Sequence, residues 1–338
     1  MTGRELHRSA VVCDTHQDIL EEYVYQFLIN EEQAITGTRH LFDEIYLPIL
    51  RKQGVNVVNM AVGGDHVVQV LYSASEYRFW DAHKKLDILN SELEAGCTSF
   101  YLCRKKEDID RALGEGKIAV LATIAGGRVL HGKANLNLRS SLRSLYRLGL
   151  RGLQLTGNSR NRLGDGVGQE RTRGKLTGFG AQVVTEADRL GMVLDTAQLS
   201  DPGFYDLLSL TSNPVIDSHS CAAGVSPHRR NLSDDRIRAI AERGGVVGVS
   251  FRAALVNQHK ETPDVGDLLA HIDYIVELAG IEHVALGPDY SAYNTPVDRN
   301  RIRGFGNLGP DFCAFDRRTP LQSEKYPGWI EGIWYGIR

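Results

Sequence analysis

The chain has 338 residues, 42% hydrophobic and 24% charged, with 39 basic and 42 acidic side chains and a net charge of -3. That is enough apolar material for a sizeable core. The slightly acidic balance argues against a polyanionic partner such as nucleic acid, and no stretch approaches the roughly 18 uninterrupted apolar residues of a membrane span. Five scattered cysteines, Cys13, Cys97, Cys103, Cys221 and Cys313, contain no CxxC pair. They suit neither a disulfide framework nor a cysteine-based zinc site, so a reducing cytoplasm is the expected compartment. The N-terminal MTGRELHRSAVVCD has no long apolar core before a small-residue cleavage site, and secretion is not expected.

In chain order, short β-branched runs alternate with longer amphipathic ones. Strands are expected at 10–14 (AVVCD), 55–62, 118–124, 150–156, 192–197, 213–218, 246–251 and 283–289. Helical patterns lie between them, including LFDEIYLPILRKQ, a long one over 74–96, EDIDRALGEG, LRSSLRSLYRLG and GDLLAHIDYIVELAG. Gly191 and Gly244 stand where left-handed C-caps belong, and Ser233 stands where an N-cap belongs. Eight strand and crossover units predict an α/β fold, a (β/α)8 TIM-type barrel. A doubly wound sheet loses its main support because no GxGxxG follows the first strand. A single barrel domain over 1–338 is expected, with 290–338 as an irregular C-terminal segment rich in Gly, Pro and aromatics.

Active sites of such barrels sit at the C-terminal ends of the strands. There the sequence places Asp14, His16 and Asp18 after strand one and Asn158 after strand four. Asp195 and Gln198 follow strand five, Asp217, His219 and Ser220 strand six, and Asp289 strand eight. Burying that many ionisable groups is costly unless they are paired or bind a metal. An imidazole and a carboxylate two residues apart, as in His16-x-Asp18, can share one divalent cation. His219 is flanked by hydroxyls able to hold its second ring nitrogen, and Asp289 is suited to accept a proton from an activated water. In the Arg229-Arg230 pair a guanidinium can clamp a substrate carboxylate. The glycine- and charge-rich stretch 157–176 is too long for a mere connection and is expected at the binding mouth.

Taken together, VVCDTHQD, TIAGGRVL, LRGLQLTGNSRN, LTGFGAQVVTEADRLGMVLDTAQLSDPGF, PVIDSHSCAA, SPHRRNLSDDRIRAIAERGGVVGVSF and HVALGPDY resemble the renal or membrane dipeptidase family, in the right order over about residues 10–290. The resemblance implies an amidohydrolase-type (β/α)8 barrel that hydrolyses dipeptides at a two-zinc centre. It implies His16 and Asp18 as ligands of the first metal, His219 as a ligand of the second, Arg230 as the holder of the substrate carboxylate, and Asp289 as the proton shuttle.

Three family positions differ. Ala125 stands where the resemblance implies a metal-bridging glutamate, Gln198 where it implies a ligating histidine, and Gly157 where it implies a substrate-contacting histidine. Two dications need a bridging anion against their repulsion, and a neutral amide is a poor zinc ligand. One zinc rather than two is therefore expected, on His16, Asp18 and His219 with Asp289 as a further donor. Arg128, just after the paired glycines, is expected to add a cation near the same place. The expected activity is hydrolysis of a dipeptide or related small amide, with Arg230 and Asn158 contacting a small substrate that has a free carboxylate. The alternatives are a binding protein that has lost catalysis, or altered chemistry on a biosynthetic intermediate. Self-association into a homodimer stays open.

Overall fold

Each of the eight expected apolar runs becomes a parallel strand, and a further short strand joins them: β1 (Cys13–Gln17), β2 (Val57–Gly64), β3 (Phe100–Leu102), β4 (Ile118–Ala125), β5 (Leu150–Gln154), β6 (Val193–Asp195), β7 (Val215–Ser220), β8 (Val246–Val249) and β9 (Val284–Leu286). The computed structural model describes residues 5, 7, 9–18, 20, 42–65, 75–131, 138–169, 171–172, 174–260 and 263–289. The expected segment 290–338 lies outside them.

Eight strands close the ring in the order β1-β2-β4-β5-β6-β7-β8-β9, with β9 returning to β1 through Asp14 and Leu286. This is the expected (β/α)8 barrel, with one correction: there is a ninth strand. One edge of β4 pairs with β2 from Ala119 to Ala125. Its other edge is shared, with β3 on Ile118 to Val120 and β5 from Ala122 onward. β3 therefore flanks the ring without entering it. Three residues are too few to show alternation, so the sequence pattern carries no sign of this strand.

The helices are α1 (Leu47–Lys52), preceded by one wide π-helical turn, α2 (Ser75–Glu94), α3 (Lys106–Gly114), α4 (Leu138–Leu148), α5 (Gly178–Arg189), α6 (Asp201–Leu210), α7 (Asp234–Ala241), the single turn α8 (Ala253–Val256) and α9 (Val265–Ala279). Their apolar faces cover the strands in one large core. In α4 the buried side chains are Leu138, Leu142 and Leu145, one stripe of a helical period. Side-chain caps start several helices, among them Ser233 on Arg236 N in α7 and Asp264 on Asp267 N in α9. Gly191 and Gly244 follow α5 and α7 at φ of 68° and 69°, where a side chain would be strained.

The strands that matter most for function are irregular at their C-terminal ends. Between Asp14 and Gln17 β1 carries one residue more than β2, and between Asp217 and Ser220 β7 carries one more than β8. Such bulges bend a strand and re-aim its side chains. Asp14 holds the first in shape by accepting from His16 N at 2.9 Å and from the Gln17 amide. β1 therefore runs three residues beyond its predicted end, and His16 lies within the strand rather than after it. Across the barrel Thr15 Oγ1 donates to Ser218 O at 2.7 Å.

That contact needs a bare backbone on β8: a Cβ on Gly248 would lie 2.1 Å from Thr15 Oγ1 and 2.2 Å from Ser218 O. Gly248→Ala is expected to lose about 1–3 kcal/mol of stability, measured as a lower urea midpoint. Gly114→Ala, at a helix end where a Cβ meets nothing within 4 Å, is expected to leave the midpoint unchanged or raise it.

Candidate metal centre

The two bulged strands bring His16 and His219 together inside the barrel mouth. Their rings stack at 3.9 Å between centroids with 28° between planes, and both side chains are buried. His16 Nε2 lies 3.3 Å from Asp18 Oδ1. Two groups of ligand atoms lie within 4.8 Å of one another, His16 with Asp18 and Asp289, and His16 with Asp195 and His219. The structure thus places His16 in both groups, while Asp18 and His219 fall into different ones. Burial works to lower the pKa of His16, but Asp18, Asp289 and Asp195 outweigh it and carry the imidazole up to about 9. The local field favours positive charge at this point.

The second group is already engaged in hydrogen bonds. Asp195 Oδ1 accepts from Ala197 N and Ser218 N, each at 3.0 Å, and Oδ2 accepts from Ser218 Oγ at 2.5 Å. Burial and the charge of Asp217 push the Asp195 carboxyl up to about 6. Having donated its only proton, Ser218 Oγ accepts from His219 Nδ1 at 2.7 Å. Gln198 Nε2 can only donate, and it does so to His219 Nε2 at 3.0 Å. His219 is therefore the Nδ1–H tautomer, and the lone pair that a metal would take is engaged by the Gln198 amide. Gln198 holds this position from a left-handed backbone, φ 65°. Ala125, at the end of β4, offers only a methyl group. Asp217, also expected at the site, pairs instead with Thr196 Oγ1 at 3.0 Å and Arg236 at 3.6 Å.

The residues fit one ion better than two. His16 and Asp18 offer an imidazole and a carboxylate to a single dication, and the Asp289 carboxylate lies within the same ligand spacing while both its oxygens accept from Arg252. The other group has a capped imidazole and a carboxylate committed to three donors.

Asp289 stands at φ 59° with its amide directed at His16 O, 3.3 Å away. Both its oxygens accept from Arg252, with Nη2 to Oδ1 at 3.0 Å and Nε to Oδ2. Sequence reasoning missed Arg252, although it follows the apolar run of β8 and meets the same strand-end test that singled out the others. Arg230 is buried, and it donates to His219 O at 3.0 Å and to Asn158 Oδ1 at 3.4 Å. Burial brings its pKa down to about 10, so it stays charged at neutral pH. Its Nε is buried with no hydrogen-bond partner among the described residues. Arg230 and Asn158 are thus brought together, whereas Arg229 is exposed.

Asp65 was also missed. Its carboxylate accepts from Arg128 N at 2.8 Å, Gly157 N at 3.0 Å and Asn161 Nδ2 at 3.0 Å, tying the ends of β2, β4 and β5. The Arg128 guanidinium, expected to add charge beside Ala125, lies with Nε 3.8 Å from Asp65 Oδ2 and donates from Nη2 to Arg160 O at 3.0 Å. In the long stretch after β5, Asp165 accepts from Arg160 at 2.5 and 3.0 Å, from Thr172 Oγ1 at 2.8 Å and from Gly174 N at 2.8 Å.

The family model described as membrane dipeptidase (peptidase family M19) matches residues 2–303. An uncharacterized protein encoded in the pqqA 5′ region of Klebsiella pneumoniae is 30% identical over 234 residues, 67% of this chain and 84% of that protein. An amidohydrolase from Pseudomonas aeruginosa superposes with a TM-score of 0.71 at 20% identity, over 98% of this chain and 91% of its own. A metallo peptidase from Rhodobacter sphaeroides, crystallised with a phosphinate mimic of the dipeptide L-Ala-D-Ala, gives 0.67 at 21% identity, over 96% and 99%. At these identities the structural likenesses establish the barrel fold.

The Arg160 guanidinium is the largest cause holding Asp165 down at about 2, from an ordinary value of 3.8. A depressed carboxylate contributes stability that is complete above its unfolded pKa and is lost as pH falls through the folded one. Pepsin cleavage of this segment is therefore expected to rise steeply between about pH 4 and pH 2. At pH 7, Asp165→Asn is expected to cost about 1–2 kcal/mol, read from a thermal melt, after allowance for the exposed side of the pair.

Proposed function

The chain belongs to the membrane dipeptidase family of metallo-dipeptidases, and from that premise we propose that it is a one-zinc hydrolase of dipeptides or closely related small amides with a free carboxylate. The observation that carries this reading is the close set of His16, Asp18 and Asp289 beside a buried, charged Arg230. His16 and Asp18 would hold the ion, with Asp289 within the same ligand spacing. The ion, when bound, supplies Lewis acidity to the scissile amide and to water.

The protein's own groups do the rest. Arg230 pairs with the substrate carboxylate through a guanidinium whose desolvation makes a partner anion strongly favourable. Asn158 fixes the guanidinium plane from one side, and His219 O fixes it from the other. Asp289 takes the proton of the attacking water and returns it to the leaving amine, for which it must be an ionised carboxylate at the start of each turnover. The Arg252 guanidinium donates to both of its oxygens and fixes their orientation.

A second reading, a binding protein without hydrolysis, draws support from Ala125 and from the Gln198 amide on His219. Elemental analysis after zinc reconstitution, followed by a panel of L,L- and L,D-dipeptides that includes L-Ala-D-Ala, separates the two. About one zinc per chain with measurable turnover is expected, and Arg230→Met is expected to raise KM by about tenfold or more with a smaller effect on kcat. No zinc and no turnover would sink the hydrolase reading. The double change Ala125→Glu with Gln198→His is expected to move the stoichiometry toward two.

A further inference from the structure

We propose that Arg252 is a positioning residue that withholds Asp289 from the metal. It leaves a single ion on His16 and Asp18 and keeps Asp289 as a proton carrier rather than a ligand. This inference rests on the metal-dependent reading above and concerns which cation Asp289 serves.

Three observations lead to it. First, Asp289 is within ligand distance of His16 and Asp18, yet both its oxygens are taken by one guanidinium. A carboxylate forked onto arginine in this way has its strongest acceptor directions used, so it is a weakened ligand. Second, the pair is asymmetric: the Asp289 side chain is 2% exposed and that of Arg252 is 27%. A nearly buried carboxylate depends on its partner, and removing that partner leaves a charge that must find another cation. Third, the backbone of Arg252 is anchored independently of Asp289. Its amide donates to Ser250 Oγ at 3.3 Å and its carbonyl starts the turn of α8, accepting from Leu255 N at 2.9 Å and Val256 N at 3.0 Å.

The charge balance of the mouth supports the assignment. Ala125 and Gln198 offer neither a carboxylate nor an imidazole to a second dication. Arg252 contributes a fixed positive charge that neutralises Asp289, and its charge also reaches Arg230, which it helps to destabilise in the protonated form. Guanidinium and metal ion therefore compete for one carboxylate. The guanidinium is tethered and always charged, which favours it in that competition.

The experiment is a double-mutant cycle read by zinc affinity, with a chromophoric chelator as competitor and circular dichroism confirming the fold. Arg252→Met is expected to tighten zinc binding by about tenfold or more, as Asp289 becomes a third ligand. Asp289→Asn alone is expected to change affinity by less than about threefold, and the double variant is expected to lose the gain. Arg252→Lys is expected to restore most of the wild-type affinity. With Co²⁺ in place of zinc, the visible spectrum is expected to change in Arg252→Met and to revert in the double variant.

A folded Arg252→Met protein that binds zinc no tighter than wild type overturns the proposal. So does Asp289→Asn weakening zinc by about tenfold in the wild-type background, an arm that does not need the Arg252 variant to fold. None of these readouts uses turnover. The expected affinities without dipeptide cleavage would overturn the hydrolase reading alone, and cleavage with unchanged affinities would overturn this inference alone.

Discussion

One buried imidazole among three carboxylates sets the terms for the rest of the barrel mouth. His16 has Asp18, Asp195 and Asp289 around it, and their combined field overcomes the burial that would otherwise keep it neutral. A site of this kind needs a cation, whether a proton, a guanidinium or a metal ion, because unpaired carboxylates in a water-poor interior are expensive. The strand bulges in β1 and β7 make it possible, since they turn His16 and His219 toward each other across the ring instead of leaving them to strict alternation. Asp14, Thr15 and Gly248 then hold the bulged backbone in register.

The neighbouring half of the mouth is built differently. Gln198, His219, Ser218 and Asp195 form a chain of hydrogen bonds in which each donor and acceptor has a defined role. Such a chain stabilises buried polar groups without a metal. In it the His219 ring is satisfied by the Gln198 amide, and Ala125 adds only a methyl group nearby. Arg252 brings a positive charge to Asp289 in the first group.

Much of this was legible in the chain. The eight ring strands follow from apolar runs bounded by turn residues, and their C-terminal ends single out Asp14, His16, Asp18, Asn158, Asp195, Gln198, Asp217, His219, Ser220 and Asp289 without any knowledge of contacts, while Arg230 is picked from the Arg229-Arg230 pair by the family resemblance. β3 was illegible because three residues carry no period. Asp65 was illegible because its function lies in three donors from other strands, Arg128 N, Gly157 N and Asn161 Nδ2, none near it in sequence. Arg252 was open to view and passed over, since an arginine after a strand usually lies in solvent. Only the position of Asp289 beside it makes it part of the site.

The sequence by itself determined the barrel, its family and the inventory of polar groups at its mouth, because strand period, turn chemistry and motif order are local properties. Tertiary structure decided how that inventory divides: which carboxylate shares His16, which tautomer His219 adopts, and which cation holds Asp289. Those depend on distances between side chains from different strands. Electrostatic energy in a buried site changes steeply over a few ångströms, and linear order does not record such distances.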